Sequence, residues 1–259
     1  MGDNNYFLEV ALDAAQKASL VISSEIQNEL RVDYKGETDL VTNADLKAEE
    51  IIMKTISSSF PDHRIITEES GEKVSESEHV WIIDPIDGTT NLVHGYPFYA
   101  VSIAVYNGNK ALAAVVDHIY LNDIYSATDG GGAHCNGKSI FVSKTNNLTN
   151  SLLATGFPYE HDHIWAHNID LFKTLTDLTQ GVRRAGSASL DLCHVARGWL
   201  DGYWEFALNS WDIAAGALIV KEAGGTVSNC NGSKFSVFGK EILSSNSYVH
   251  KEIIGHLNN

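Results

Sequence analysis

Cysteine, positive charge and long hydrophobic runs are all scarce in this sequence, and each shortage excludes a class of protein. Only three of the 259 residues are cysteines, and Cys135, Cys193 and Cys230 lie far apart. Three scattered thiols cannot form a disulfide framework, and zinc modules need their ligands in close pairs. The sequence therefore predicts a domain held together by a hydrophobic core, in a reducing, cytoplasmic setting.

No apolar stretch approaches the roughly 18 residues that a membrane-spanning helix needs. The first residues, MGDNNYF, lack the basic segment and the apolar core of a signal peptide. Tyr6 also stands where a myristoylation motif has Ser or Thr. We therefore expect neither membrane insertion nor secretion.

Positive charge is limited to 18 Lys and Arg residues against 33 Asp and Glu, which gives a formal net charge of -15 at pH 7. Affinity for the nucleic-acid backbone comes mainly from Lys and Arg, so we expect no nucleic-acid partner. An anionic ligand would need a cation to hold it on such a surface. Clustered carboxylates can recruit a divalent metal for that purpose.

Hydrophobic periodicity predicts two helices at the start of the chain, followed by strands. Apolar residues recur every three or four positions over 6–30, which is typical of an amphipathic helix. A second helix is expected to begin at Asn43, a favourable N-cap residue, and to end before Pro61. Segments with β propensity follow at 65–67, 80–83, 99–106, 111–117 and 123–127. Turn residues separate the later ones, so a mostly antiparallel meander is expected.

Residues 143–151, SKTNNLTNS, are the most linker-like part of the chain, and a soft boundary is placed there. The two halves, 1–145 and 146–259, are expected to pack tightly as one functional unit. Strands and helices alternate in the second half. Strands are predicted at 152–155, 182–184 and 202–206, and helices at 164–178, 188–197 and 211–223. The fold class is therefore α+β.

The stretch WIIDPIDGTTN, residues 81–91, ends an apolar run in two carboxylates. Pro85 biases Asp84 toward an extended conformation and is expected to end the strand with that carboxylate at its tip. The turn that follows would return Asp87 to the same end. A plain loop turn is the ordinary alternative for such a tetrapeptide.

Gly88, Thr89 and Thr90 follow the two acids directly. Glycine allows close approach of the backbone, and the amides of both threonines would face an anion if they open a helix or a nest. Two carboxylates repel phosphate alone, but they suit a phosphate bridged by Mg²⁺, which binds carboxylate oxygens and keeps positions for other oxygen ligands.

Acidic residues mark further element ends, at Asp39, Asp45, Glu68, Glu69 and Asp212. Each has an ordinary explanation, which is a solvated loop for the glutamates and helix capping for the aspartates. Together with the strand end at Asp84 and Asp87 they make four acidic element ends in one chain, and that number nevertheless favours a shared site.

Two other patterns carry less weight. His161, His163 and His167 lie in HDHIWAH, where the last two have the spacing of a zinc pair but lack the glutamate of an HExxH motif. A solvated helix start is favoured over a metal site. For Arg183 and Arg184, a surface pair is favoured over an anion site.

Several separated motifs together resemble the inositol monophosphatase family. DPIDGTTN and WDIAAG are similar to its two signature motifs, and DLVTNAD, TEES and GVRRAGSAS occur in the family's order and spacing. The resemblance implies a layered αβαβα sandwich, a homodimer and a Li⁺-sensitive phosphoric monoester hydrolase. It also implies that two or three Mg²⁺ ions act in each site.

The resemblance assigns roles to individual positions. The implied metal ligands are Glu68, Asp84, the backbone carbonyl of Ile86, Asp87 and Asp212. The implied phosphate-binding amides are those of Gly88 and Thr89. The implied catalytic groups are Glu68 and the pair Thr89 and Asp45, which orients the attacking water. The implied substrate contacts are Asp87, Gly186, Ser187, Ala188 and Glu205. Glu69 and Asp39 match positions that support the ligands or hold a third metal.

The implied reaction is hydrolysis of a phosphate monoester by direct attack of a metal-activated water. Glu205 matches a glutamate that binds inositol hydroxyls, which favours inositol 1-phosphate as the substrate. Fructose 1,6-bisphosphate, histidinol phosphate and other sugar phosphates stay open, as does a non-catalytic regulatory binding protein. The segment 161–167 and Ser210, where animal members carry cysteine, depart from the family near the substrate side.

Overall fold

The structure is a computed structural model that describes residues 2–28, 30–36 and 40–258. Asp39 lies outside the described residues. The helices within them are α1 Gly2–Gln27, α2 Asn43–Ser59, α3 Thr89–Val93, α4 His163–Leu178, α5 Ala188–Ala196, α6 Ser210–Glu222 and α7 His250–Leu257. The strands are β1 Val32–Tyr34, β2 Leu40–Thr42, β3 Arg64–Thr67, β4 Gly71–Lys73, β5 His79–Asp87, β6 Ala100–Asn107, β7 Lys110–His118, β8 Asp123–Thr128, β9 Gly132–Cys135, β10 Lys138–Ser139, β11 Leu153–Thr155, β12 Val182–Arg183, β13 Gly202–Phe206, β14 Thr226–Ser228 and β15 Glu241–Ser245.

The strands form two large sheets and one short pair. The first sheet has eight strands in the order β10-β9-β8-β7-β6-β5-β3-β4, and the predicted antiparallel meander is its centre. The second has five strands in the order β12-β11-β13-β15-β14, and β11 is parallel to both neighbours. β1 and β2 pair separately in antiparallel orientation.

Side chains of the central strands alternate between two hydrophobic cores, because successive residues of a strand point to opposite faces of a sheet. Trp81 and Ile83 pack in a core with α1 and α2, whereas Val80 and Ile82 pack in a core with α5, α6 and the five-stranded sheet. A third core joins that sheet to α4 and α7. The predicted layered αβαβα sandwich of the α+β class is thus confirmed.

The two N-terminal helices form as predicted, with one difference at the start of α2. The N-cap residue is Thr42 rather than Asn43, since Thr42 Oγ1 accepts from the amide of Ala44 at 3.1 Å. Asp45 Oδ2 accepts in turn from the amide of Thr42 at 2.8 Å, which completes a capping box. Asn43 Oδ1 instead accepts a hydrogen bond from the amide of Arg31 at 2.7 Å.

The prediction that Pro85 ends the strand at Asp84 is wrong, because β5 continues to Asp87. Asp84 pairs with Ser102 of β6, and Asp87 pairs with Ala100, so three steps along β5 match two along β6. This is a β-bulge, in which one extra residue shifts the alternation of side chains. Residues three apart would normally face opposite ways, but the bulge places both carboxylates on one face.

The six predicted elements of the second half, β11, α4, β12, α5, β13 and α6, begin and end within one residue of the predicted bounds, whereas β14, β15 and α7 were not predicted. The segment 143–151 contains a 3₁₀ turn at Leu148–Asn150 and leads from one large sheet to the other. No described helix has the combination of length and apolar character needed to cross a bilayer. The three cysteines are free and buried.

Candidate active site

Residues from both halves of the chain line one large cavity of about 1160 Å³. Its floor is formed where β5 ends and α6 begins. All five implied metal ligands line this cavity, namely Glu68, Asp84, Ile86, Asp87 and Asp212. The bulge in β5 makes this possible, because it turns Asp84 and Asp87 toward the same side of the sheet.

Burial raises the pKa values of Asp84, Asp87 and Asp212, and repulsion by neighbouring acids adds to the shift at Asp84 and Asp212. Asp84 is 2% exposed, and its burial, followed by the charges of Glu68, Asp87 and Asp212, raises its pKa well above the usual range. Burial likewise raises the pKa of Asp212, although its hydrogen bond from the amide of Asn209 opposes the shift. Carboxylates packed this closely stay ionised only when a cation neutralises them.

Amides and hydroxyls of the protein donate to one oxygen of each buried aspartate. These hydrogen bonds run from the amide of Ile86 to Asp84 Oδ1 at 3.0 Å, from Ser187 Oγ and the amide of Ser189 to Asp87 Oδ2 at 2.7 and 2.6 Å, and from the amide of Asn209 to Asp212 Oδ2 at 2.6 Å. The second oxygen of each aspartate is not used by these donors, and Asp84 also has a side-chain hydrogen bond with Glu68. Mg²⁺ prefers oxygen ligands of this kind, so the donor set fits that ion.

Glu68 is held by a lysine that sequence reasoning did not single out. Lys35 Nζ lies 2.8 Å from Glu68 Oε1 and 2.8 Å from Glu69 Oε1. Burial alone would lower the pKa of Lys35, but the two glutamates raise it above its usual value. Among the residues that the structure describes, no three Asp, Glu, His or Cys side chains are grouped to hold a metal as they stand. Glu68 contacts Lys35 and also interacts with Asp84, whose pKa its charge raises.

Thr89 and Asp45, expected to act as a pair, are brought together. Thr89 Oγ1 lies 2.8 Å from Asp45 Oδ1 and 3.0 Å from the carbonyl oxygen of Ile86. The other oxygen of Asp45 caps α2 through Thr42. Burial raises the pKa of Asp45, while its hydrogen bonds from Thr42 and Thr89 oppose the shift. The hydroxyl has one proton and donates to one of its two acceptors at a time.

Gly88 precedes α3 with a φ of 98°, a left-handed conformation that side chains disfavour. A Cβ at this position would lie 2.9 Å from the carbonyl oxygen of Phe98. Thr89 and Thr90 are the first residues of α3 and line the cavity with Gly88. Amides at the first positions of a helix have no acceptor within it, so they are available to an anion.

Asn91 is a site residue that sequence reasoning missed. Its Nδ2 donates to the carbonyl oxygens of Phe98 at 2.7 Å and Ala185 at 2.9 Å, and it lies 3.3 Å from that of Gly186. The side chain therefore joins the residues after Gly88 to the segment that carries the implied substrate contacts. Its position in the signature stretch was visible, but its distant acceptors were not.

Glu205 lines the same cavity, together with Gly186, Ser187 and Ala188. Tyr203 donates its hydroxyl proton to Glu205 Oε2. Burial raises the pKa of Glu205 to about 7, and the Tyr203 hydrogen bond limits the rise. The Ser187 hydroxyl is already bound to an aspartate, so its backbone is the part left to contact a substrate.

Asp191 and Arg184 line the cavity as well. Asp191 is 2% exposed, and burial, followed by the charges of Glu205 and Asp87, raises its pKa well above the usual range. Asp191 was not identified from sequence. Arg184 is exposed, as expected of a surface residue, yet it lines the cavity and its charge lowers the pKa of Glu205.

The three histidines of the HDHIWAH segment are separated in space. The rings of His161 and Trp165 pack against each other with 4.6 Å between their centroids, and both residues line the cavity. His163 begins α4 with its side chain 90% exposed, and the His167 ring lies 5.7 Å from that of Phe206. Only the first of the three therefore reaches the cavity.

Comparison with known proteins places these features in a wider group. The chain matches the model of the inositol monophosphatase family over residues 3–259. It is 46% identical to the phosphatase IMPL1, chloroplastic, of Arabidopsis thaliana over 96% of this chain and 69% of that protein. It is 40% identical to the Nus factor SuhB of Escherichia coli K12 over 96% of this chain and 95% of that protein. The solved structure of inositol monophosphatase from Anabaena sp. PCC 7120 matches with a TM-score of 0.86 at 36% identity, covering 98% of this chain and 96% of that one.

Proposed function

Because the chain belongs to the inositol monophosphatase family of phosphatases, we propose that it is a Mg²⁺-dependent enzyme that hydrolyses inositol 1-phosphate to inositol and phosphate. One observation carries the proposal. Asp84, Asp87 and Asp212 line one cavity, and each accepts amide or hydroxyl hydrogen bonds through one oxygen, which would leave its other oxygen for a cation.

Two or three Mg²⁺ ions would be held by the three aspartates, Glu68 and the carbonyl oxygen of Ile86. Bound Mg²⁺ supplies positive charge to the phosphoryl oxygens and lowers the pKa of water. Glu69 contacts Lys35, as Glu68 does, and would support Glu68 or hold a third ion. Asp39, matched to a similar role, lies outside the described residues.

The chain's own residues orient the reacting groups. When Thr89 donates its proton to Asp45 Oδ1, its oxygen is left to accept a hydrogen bond from the attacking water. The amides of Gly88, Thr89 and Thr90 would bind the phosphoryl oxygens. Water oxygen then bonds to phosphorus, the bond to the alcohol oxygen breaks, and that oxygen takes up a proton as the alcohol leaves.

The polar groups around Glu205 favour a polyol as the leaving group. Glu205 and Asp191 can both hydrogen-bond hydroxyl groups, and among the described lining residues Arg184 is the one Lys or Arg. When ionised, the two carboxyl groups repel a second phosphate group, and when protonated they supply no positive charge to bind it. Inositol 1-phosphate fits this environment better than fructose 1,6-bisphosphate.

The direct test is phosphate release by the purified protein from inositol 1-phosphate, fructose 1,6-bisphosphate, histidinol phosphate and 3'-phosphoadenosine 5'-phosphate. We expect turnover only with Mg²⁺, fastest for inositol 1-phosphate and inhibited by Li⁺. Oxygen from labelled water should enter phosphate directly in a single turnover. A trapped aspartyl phosphate on Asp84 would contradict the mechanism, and a faster rate on another ester would reassign the substrate.

A non-catalytic regulatory role is the second candidate, and it is favoured by the name of one relative, Nus factor SuhB. Such a role would survive loss of the metal ligands, whereas phosphatase activity would not. Replacing the chromosomal copy by Asp87→Asn separates the two. A growth defect equal to that of a deletion supports the enzyme, and normal growth supports the regulatory role.

We also propose a homodimer that acts in a reducing, cytoplasmic compartment, with residues 1–145 and 146–259 working as one unit. The three buried free thiols suit that compartment. The dimer is supported by the exposed rings of Tyr96 and Trp199, which are joined through Phe98 and His194. Light scattering coupled to size-exclusion chromatography measures the state directly.

A further inference from the structure

Glu49 of α2 is a buried carboxylate whose hydrogen-bond donors all lie in the turn that contains Glu68. It is 2% exposed. Its Oε2 accepts from Thr67 Oγ1 at 2.5 Å and from the amides of Glu69 at 3.0 Å and Ser70 at 3.4 Å. The Ser70 hydroxyl donates to Oε1. One side chain therefore binds the residues on both sides of Glu68, through the Thr67 hydroxyl before it and the Glu69 and Ser70 amides after it.

A carboxylate is suited to this position because its neighbours are all donors, and an ionised carboxylate only accepts hydrogen bonds. The described ion pairs do not include Glu49, so these hydrogen bonds are what offsets the cost of burying its charge. The side chain of Glu68 is 23% exposed and contacts Lys35 and Asp84. The turn that carries Glu68 is thus held against α2, while its carboxylate points to the neighbouring charged groups.

Glu49 follows Asp45 by four residues, so both side chains lie on the same face of α2. Asp45 accepts a hydrogen bond from the Thr89 hydroxyl, and Glu49 accepts hydrogen bonds from the turn around Glu68. One helix face therefore sets the positions of two groups that act in the proposed reaction. The α2 backbone acts as a rigid spacer between them.

We propose that Glu49 is a positioning residue for the metal site, which fixes the turn of Glu68 against α2 so that the Glu68 carboxylate reaches the ion held by the aspartates. The inference rests on the proposed function. It predicts that loss of Glu49 weakens Mg²⁺ binding rather than only the fold. Outer partners of metal ligands typically contribute about 10- to 100-fold to metal affinity.

The test compares Glu49→Ala, Glu49→Gln and Ser70→Ala with the wild type. Glu50→Gln is the matched control, because Glu50 is the next residue of α2 and is exposed. Mg²⁺ affinity is measured by calorimetry without substrate, and thermal unfolding is measured without Mg²⁺. The Mg²⁺ dependence of phosphate release is measured separately.

We expect Glu49→Ala to weaken Mg²⁺ binding by about 10- to 100-fold, with much of kcat restored at high Mg²⁺. Glu49→Gln keeps the Oε2 contacts, and the Ser70 hydroxyl can rotate to accept from the new amide, so its affinity should stay close to that of the wild type. Ser70→Ala should have a loss of a few-fold, and Glu50→Gln should have none.

A purely structural role would lower the unfolding temperature of Glu49→Ala and leave the Mg²⁺ affinity of the folded protein unchanged, which would overturn the inference. If Glu49→Ala does not fold, unchanged affinity in Ser70→Ala overturns it instead. A wild-type protein that neither binds Mg²⁺ nor releases phosphate would refute the proposed function as well. A wild type that does both, beside unaffected variants, refutes the role of Glu49 alone.

Discussion

The carboxylates around the cavity divide their two oxygens between the protein and the site. Asp45 caps α2 with Oδ2 and receives Thr89 with Oδ1. Asp212 uses Oδ2 in the capping box of α6 and keeps the other oxygen for the cavity. Holding one oxygen fixes the direction of the other without any further contact. These residues are therefore oriented before any ligand arrives.

Asp87→Asn tests this division at the residue that links the two halves. The asparagine oxygen can still accept from Ser187 and Ser189, so the fold should persist, but an NH₂ group replaces the oxygen left for the metal. We expect kcat to fall by about a thousandfold, a loss comparable to removing one strong electrostatic contact. Phosphate release and near-ultraviolet circular dichroism measure the two effects.

Asp13→Asn is the control for that substitution, because Asp13 is an exposed residue of α1 with its side chain 54% accessible. It should leave the rate unchanged. Near-normal turnover by Asp87→Asn would show that the metal assignment is wrong.

Glu205→Gln tests the substrate end. A hydrogen bond to a charged group contributes about 1.5–3 kcal/mol, so kcat/KM for inositol 1-phosphate should fall by roughly 10- to 100-fold. A small ester such as 4-nitrophenyl phosphate should be affected much less. Because burial raises the pKa of Glu205 to about 7, the carboxylate ionises as pH rises through that value. The wild-type preference for inositol 1-phosphate should therefore increase between pH 6 and 8, and the variant's should not. Equal losses on both esters would remove Glu205 from the pocket.

At the scale of the elements, long periodic segments were predictable and short ones were not. Helices α4, α5 and α6 lie within one residue of their predicted bounds because each is a long apolar segment with turn or capping residues at its ends, whereas the short α7 was not predicted. Strands β4, β10 and β12 contain two or three residues, too few for a pattern, and of these only β12 was expected. The bulge in β5 was missed because it depends on pairing with β6, which no local signal in the sequence specifies.

The candidate site was predictable where its residues are close in sequence or share a family motif. Asp84, Asp87 and Asp212 were found in this way, and the cavity contains all three. Glu49 and Asn91 were not, because their importance lies in acceptors and donors far along the chain. Such residues look like ordinary helix positions until the fold is known.

Gly88→Ala tests the junction between β5 and α3. The substitution forces a Cβ into a left-handed conformation and within 2.9 Å of the carbonyl oxygen of Phe98. Left-handed backbone costs about 1–2 kcal/mol, and the clash adds to it. We expect a lower unfolding temperature together with at least about a hundredfold loss of kcat, since displaced amides no longer meet the phosphate.

Gly95→Ala is the matched control for the backbone term alone. Gly95 has a φ of 66°, and a Cβ there would meet no atom within 4 Å. It should lose similar backbone stability and keep its activity. If both variants kept full activity, the residues after Gly88 would have no part in phosphate binding.

At the scale of the whole molecule, folding concentrates acids of an already acidic chain. The formal net charge is -15, and the cavity brings together Asp84, Asp87, Asp191 and Asp212, whose pKa values burial raises. A group whose pKa is raised by folding stabilises the protein at low pH, and that contribution is lost as pH rises through the folded value. The metal-free protein should therefore become less stable as these acids ionise.

The histidines act in the opposite direction at lower pH. Burial, with the charges of His118 and Arg197, lowers the pKa of His194 to about 4, so acid destabilises the fold between about pH 6.5 and 4. Above pH 6.5 the histidines contribute little further change. Burial raises the pKa values of Glu69 and Glu205 to about 7, so the unfolding temperature without metal should fall by several degrees from pH 6.5 to 8.5 as these acids ionise.

Mg²⁺ should reverse this trend, because it binds the ionised acids and competes with protons. The rise in unfolding temperature on adding Mg²⁺ should be larger at pH 8.5 than at pH 6.5. Differential scanning calorimetry with EDTA or with Mg²⁺ measures the difference, and Asp212→Asn should reduce it. A Mg²⁺ effect that does not change with pH would contradict the assignment of these acids as ligands.

The bulge in β5 has a consequence for the supply of ligands across the pH range. Ile86 has no partner in the pairing of β5 with β6, and its carbonyl oxygen receives the Thr89 hydroxyl instead. Every other member of the proposed ligand set is an acid that a proton can neutralise. A peptide oxygen has no such equilibrium in this range. Because one position of β5 is left unpaired with β6, the strand can offer the proposed site a peptide oxygen that acidification does not neutralise.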